Sequence, residues 1–169
     1  MRTVFHAWVG VALVLVAAPA AAGKPLARLS LDDAAGLGTV IATDRAEKVE
    51  GAASVRITTA WPVTVNLGEV AAPDVEGATL VYQARVKSTD LAGNAYLEMW
   101  VHFGTTAFFS RGLRSMVHGT NGWTALETPF YLKSGQRPTK VTLNLVINGA
   151  GTVWVDDVRL LVRPLPAAE

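Results

Sequence analysis

Apolar and polar residues alternate with a period of two along most of the chain, and the 3.6-residue period of an amphipathic helix is weak throughout. The alternation predicts strands at about Ala27–Leu31, Thr39–Ala42, Ser54–Thr59, Val63–Leu67 and Ala78–Lys87. Further strands are expected at about Ala95–Phe103, Ala107–Ser110, Trp123–Leu132, Lys140–Asn148 and Thr152–Val162. Turn chemistry separates them, including Ala60-Trp61-Pro62, Ala92-Gly93-Asn94, Gly119-Thr120-Asn121-Gly122 and Asn148-Gly149-Ala150-Gly151. Short strands in this number and at this spacing imply an all-β protein, an antiparallel two-sheet β-sandwich or barrel.

Three strands carry a clean apolar face: Leu80, Tyr82, Ala84 and Val86; Leu97, Met99, Val101 and Phe103; and Val141, Leu143, Leu145 and Ile147. Their opposite faces are unusual. One bears Tyr96, Glu98, Trp100 and His102, and its neighbours are expected to add Gln83, Arg85 and Asn144. Aromatic rings interleaved with carboxylate, amide and basic groups suit a sugar: a flat ring stacks on the apolar face of a pyranose and fixed polar groups take its hydroxyls. The same pattern also fits a face covered by a loop such as Arg111–Gly122, or one that docks a protein. Phe108 and Phe109 are adjacent, so one of them must point outward. Trp61 precedes Pro62 in an expected turn, where an exposed ring would also reach a ligand. Trp123 and Trp154 are assigned mainly to the core.

The last strand, "GTVWVDDVRLL", poses a separate question. Successive side chains of a strand point to opposite faces, so Asp156 and Asp157 are expected on different sides, with at least one carboxylate buried. A buried carboxylate needs a metal, N–H donors or a cationic partner such as Arg56.

Composition narrows the setting. The segment 1–22, "MRTVFHAWVGVALVLVAAPAAA", has one basic residue, an apolar run from Trp8 to Ala18 and small residues at Ala20-Ala21-Ala22. That is the pattern of a signal-peptide helix cut before Gly23, and it predicts a secreted or periplasmic protein. The sandwich domain is expected over 23–163 and a flexible Pro-rich tail over 164–169. Removing 1–22 takes away one Arg and leaves 14 basic and 14 acidic side chains. This balance argues against nucleic acid as a partner, and nothing beyond the leader argues for stable membrane insertion. No Cys is present in the 169 residues, so an apolar core must hold the domain without disulfides. Catalytic signals are sparse: there is no Gly-x-Ser-x-Gly elbow, His102 and His118 lack a zinc spacing, and Glu98 with Glu127 is the one carboxylate pair worth examining for glycoside hydrolysis.

The runs "WTALETPFYLKSG…PTKVTLNLVINGAGTVWVDDVRLL" and "EGAASVRI" resemble carbohydrate-binding modules of the jelly-roll, galactose-binding-like type. The counterparts are Gly51 to Ile57, Trp123 to Phe130, Val141 to Ile147 and Gly149 to Leu160. The resemblance covers most of residues 27–162, and the closing strand is its most specific part. It implies a two-sheet β-sandwich that binds a polysaccharide or other glycan without cleaving it. It also implies one structural Ca2+ between the last strand and the N-terminal part, with Asp157, Asp156, Asp33 and Glu50 as candidate ligands. A structural or protein-interaction module of an exported complex is the alternative reading, and a small glycan-active enzyme the third.

Overall fold

The computed structural model describes residues 23–32 and 41–167; the leader-like segment 1–22 and Asp33 lie outside them. The described residues form nine strands and no helix. They are β1 (Lys24–Leu29), β2 (Ile41–Asp44), β3 (Ser54–Thr59), β4 (Val63–Ala71), β5 (Thr79–Phe103), β6 (Thr106–Arg111), β7 (Val117–Tyr131), β8 (Lys140–Asn148) and β9 (Gly151–Arg163). All pairings are antiparallel.

The spine is β5. Its first part, Thr79 to Thr89, pairs with β9 on one edge and with β7 on the other, and β9 is flanked in turn by β1 and β3, with β2 outermost. Its second part, Asn94 to Phe103, pairs with β8 and then β4 on one side and with β6 on the other. Two sheets result, joined through β5, and their inner faces enclose the core. That core includes Leu80, Tyr82, Ala84 and Val86 from the first sheet and Leu97, Met99, Val101, Leu143 and Leu145 from the second.

The expected turn at Ala92-Gly93-Asn94 is not a chain reversal. It is where β5 crosses from one sheet to the other, and the register shifts between Val86 and Asn94 record the crossing. The inward-facing set changes from even to odd numbers there, from Leu80, Tyr82, Ala84 and Val86 to Leu91, Ala95, Leu97, Met99 and Val101. The β8–β9 hairpin turns at the same place, and Ala92 N donates to Ala150 O at 2.8 Å. A Cβ on Gly93 would lie 1.6 Å from the Asn148 carbonyl oxygen, so only glycine admits this approach of two backbones. The expected turn at Gly119–Gly122 is likewise internal to β7, again with shifted register.

A second phase change occurs in β9. Val153 and Val155 face the core, and so do Val158 and Leu160, because a bulge opposite Ala84 inserts one residue. Asp157 takes the left-handed conformation at the bulge, with φ 51°. The expectation that the two aspartates point to opposite faces is therefore corrected: neither enters the core, and both line one cavity outside it. Trp123 and Trp154 are corrected in the same way. Both are half-buried and neither belongs to the core cluster. Trp154 lies on the outer face of the first sheet, beneath the Lys87 ammonium at 5.2 Å, and its Nε1 donates to Asp44 Oδ2 at 2.9 Å.

Candidate functional site

Directly opposed residues of antiparallel strands share a face, so the register of β4, β8, β5 and β6 lays out the outer surface of the second sheet in rows. Asn66, Asn144, Glu98 and Arg111 form one row; Glu69, Thr142, Trp100 and Phe109 the next; Lys140, His102 and Ala107 the third. Val146 and Tyr96 lie on the other side of the first. Five of the seven expected ligand residues, Tyr96, Glu98, Trp100, His102 and Asn144, are thus assembled on one face.

The other two are not. Gln83 and Arg85 precede the β5 crossing and stand on the outer face of the first sheet. Gln83 Nε2 donates to Glu127 Oε2 at 2.7 Å, and Arg85 Nη2 reaches Trp123 O at 3.5 Å. Glu98 and Glu127, the pair examined for hydrolysis, are separated in the same way onto the outer faces of different sheets.

Glu98 organises the assembled face. The residue is 5% exposed. Oε1 accepts from Trp100 Nε1 at 2.8 Å and from Asn144 Nδ2 at 3.3 Å, while Oε2 accepts from Arg111 Nε at 2.7 Å. Burial by itself would raise the pKa, but the Arg111, Trp100 and Asn144 donors outweigh it and hold the carboxyl below its ordinary value. Glu98 is ionised at neutral pH, and its three donors all belong to neighbours on this face.

The aromatic part is Trp100 with Phe109. Their ring centroids are 5.1 Å apart at an interplanar angle of 48°, and the Arg111 guanidinium lies 4.6 Å over the Phe109 ring. Phe109 is 51% exposed. Tyr96 is 7% exposed, so its ring is covered on this outer face and does not offer a stacking surface. Around the rings, His102 Nε2 lies 3.2 Å from Thr142 Oγ1, and Thr142 Oγ1 and Lys140 Nζ both reach Glu69 Oε1, at 3.1 and 2.9 Å. The Lys140 hydrogen bond, set against a smaller cost of burial, lowers the Glu69 pKa. Phe109 could be found from its neighbour, since of two adjacent phenylalanines one must point outward. Arg111, Glu69 and Asn66 carry no such signal and enter only through register.

Of the expected metal ligands, Glu50, Asp156 and Asp157 lie elsewhere, beside the first sheet, where a cavity of about 290 Å³ is lined by them with Arg28 and Asp32 among others. Asp156 pins the loop after β2: Oδ2 accepts from Val49 N at 2.6 Å and Glu50 N at 2.9 Å, and Oδ1 from Asp157 N at 2.7 Å. Asp32 Oδ1 holds the next residues, accepting from Ala52 N at 2.7 Å and Ala53 N at 2.9 Å. Asp44, not Asp156, faces Arg56, at 3.5 Å. Trp61 is 73% exposed at the β3–β4 turn, where Thr59 Oγ1 donates to its carbonyl at 2.7 Å and accepts from its N–H at 3.2 Å.

The crossing spine, the two antiparallel sheets and the enclosed apolar core define a jelly-roll β-sandwich. Solved structures share it. A family 22 carbohydrate-binding module described as a xylan-binding domain is 12% identical with a TM-score of 0.59, covering 88% of this chain and 100% of that one. The CBM22-1 xylan-binding domain of Paenibacillus barcinonensis Xyn10C is 12% identical with a TM-score of 0.57, covering 87% and 99%. A family 16 carbohydrate-binding module is 12% identical with a TM-score of 0.51, covering 76% and 89%. No family model matches the sequence, and no curated protein does. Among the described residues no helix is long and apolar enough to cross a membrane.

Proposed function

We propose that the protein binds a polysaccharide, without cleaving it, on the outer face of the second sheet, and that the leader-like segment 1–22 sends it out of the cytoplasm. The observation that carries this reading is the Trp100–Phe109 pair: an indole fixed by Glu98, beside a half-exposed phenyl ring, bordered by the amide, hydroxyl and imidazole groups of Asn66, Asn144, Thr142 and His102. A sugar ring stacks on Trp100 or Phe109 while its hydroxyls reach the polar rim. Glu98 holds three neighbours of this face, and its partner carboxylate in the hydrolysis reading, Glu127, stands on the other sheet, which supports binding over cleavage. The fold shared with carbohydrate-binding modules supports the same conclusion.

The charges on the face are paired, Glu98 with Arg111 and Glu69 with Lys140. A neutral polysaccharide suits such a surface better than an acidic one, and xylan, named for two of the structural neighbours, is the first to try. The test is affinity electrophoresis of the protein through gels containing xylan, mannan, galactan or soluble β-glucan. One of these is expected to retard the native protein, and Trp100→Ala to migrate freely. Equal mobility of the two in every gel overturns the proposal.

A further inference from the structure

The cavity at the joint of β1, the loop after β2 and the β9 bulge sits where the sequence resemblance implies a calcium ion, and its donors answer differently. Calcium takes six to eight oxygen ligands. The oxygens of Asp156 are committed to three backbone N–H groups, and those of Asp32 to two N–H groups and the Ser30 hydroxyl. Among the described residues that leaves Glu50 and Asp157. Among the described residues, no three acidic or imidazole side chains come together to hold a metal.

Glu50 and Asp157 lie close together and each faces two guanidiniums. Arg28 reaches both, pairing closely with Glu50 and standing 3.7 Å from Asp157 Oδ1. Arg159 also reaches both: its Nε donates to Asp157 Oδ1 at 2.6 Å, and its Nη2 is 3.7 Å from Glu50 Oε2. The two guanidiniums and two carboxylates form a closed ring of alternating sign. Arg28 and Arg159 are directly opposed across β1 and β9, an arrangement of like charges that is unfavourable unless anions lie between them. Asp157, displaced by the bulge, and Glu50, held by Asp156 through its own N–H, supply those anions. A dication placed among them would meet two fixed positive charges within a few ångströms of the carboxylates that, among the described residues, are left to bind it.

We propose that Arg28 and Arg159 take the part of the structural metal in this chain. Through Glu50 and Asp157 they cross-link the N-terminal strand, the β2–β3 loop and the last strand, so that the fold is held at this joint without calcium. An isolated exposed ion pair contributes little, but Asp157 is only 12% exposed and all four groups are linked, which is the circumstance in which such pairs matter.

Two measurements on the purified protein test it. Thermal melting in EDTA and in millimolar CaCl2 is expected to give the same Tm, and titration with CaCl2 or Tb3+ to show no saturable binding. A saturable site, or a Tm raised by calcium, overturns the proposal. The double variant Arg28→Gln/Arg159→Gln leaves the two carboxylates facing each other. Its Tm is expected to fall by roughly 4–8 °C and to recover in part when calcium is added, because the removed charges then make room for the ion. If the double variant does not fold, Arg159→Lys serves instead, with a smaller drop. A variant Tm equal to that of the native protein shows that the ring holds nothing and sinks the idea.

Discussion

Trp100 Nε1 donates to Glu98 Oε1 at 2.8 Å, across the two-residue step that places both side chains on the outer face of the second sheet. The indole is therefore held by a buried charge, and the ring that would stack on a sugar cannot turn without breaking a charge-assisted hydrogen bond. Glu98→Ala is expected to weaken polysaccharide binding about tenfold, or about 1.4 kcal/mol, and to destabilise the fold, since Arg111 and Asn144 also lose their acceptor. Glu98→Gln keeps one acceptor and is expected to cost less in both respects. Calorimetric titration and thermal melting of the two variants separate these effects.

Phe109 offers a different balance. It is 51% exposed and contributes to the face mainly by its ring. Phe109→Ala is expected to lower affinity by about fivefold, on the order of 1 kcal/mol, with Tm changed by no more than about 2 °C. An unchanged affinity would place the ligand on Trp100 alone.

Because Glu98 pairs with Arg111 and Glu69 with Lys140, association should not depend on long-range attraction. Affinity is expected to vary by less than about twofold between low and high salt, across a range in which the screening length falls from about 30 Å to about 3 Å. A steep loss of binding with NaCl would indicate an anionic ligand instead.

Acid should loosen the protein in a defined window. In Asp32 and Asp44 the pKa is lowered, in Asp32 chiefly by the Ala53 and Ala52 N–H groups and in Asp44 chiefly by the Trp154 indole and the Glu47 N–H. Glu98 is lowered too, its donors outweighing its burial. A carboxyl with a depressed folded-state pKa stabilises above its unfolded value, 3.8 for Asp and 4.5 for Glu, and loses that contribution as pH falls through the folded value. Glu50, raised mainly by the nearby Asp157 carboxyl, acts in the opposite sense and offsets part of this. Stability is expected to be level from pH 7 to about 5 and to fall below 4, as measured by denaturant unfolding at each pH.

Two positions test the fold itself. Asp156→Ala leaves three backbone N–H groups without their acceptor and is expected to cost about 1–3 kcal/mol, read from chemical denaturation. Gly93→Ala puts a methyl group 1.6 Å from the Asn148 carbonyl oxygen where β5 changes sheets. That substitution is expected to cost about 3 kcal/mol.

Period-two alternation belongs to each strand separately, so the sequence by itself determined the all-β class, most strand positions and the inward faces of β5 and β8. It also brought out the outer-face residues Tyr96, Glu98, Trp100 and His102. It marked a turn at Ala92–Asn94 and took the alternation as unbroken through Asp156-Asp157. A break in alternation reads equally as a turn, a bulge or a crossing, and only the partner strands distinguish these. The tertiary structure decided that β5 runs on through its break, which carries Gln83 and Arg85 to one sheet and Trp100 to the other. It decided, through register with β6, β8 and β4, that Phe109, Arg111, Thr142 and Glu69 surround Trp100 while Tyr96 is covered. It also decided that Asp156 binds backbone N–H groups more than a hundred residues earlier in the chain. Those pairings join residues far apart in the chain, and no local pattern of apolar and polar positions encodes them.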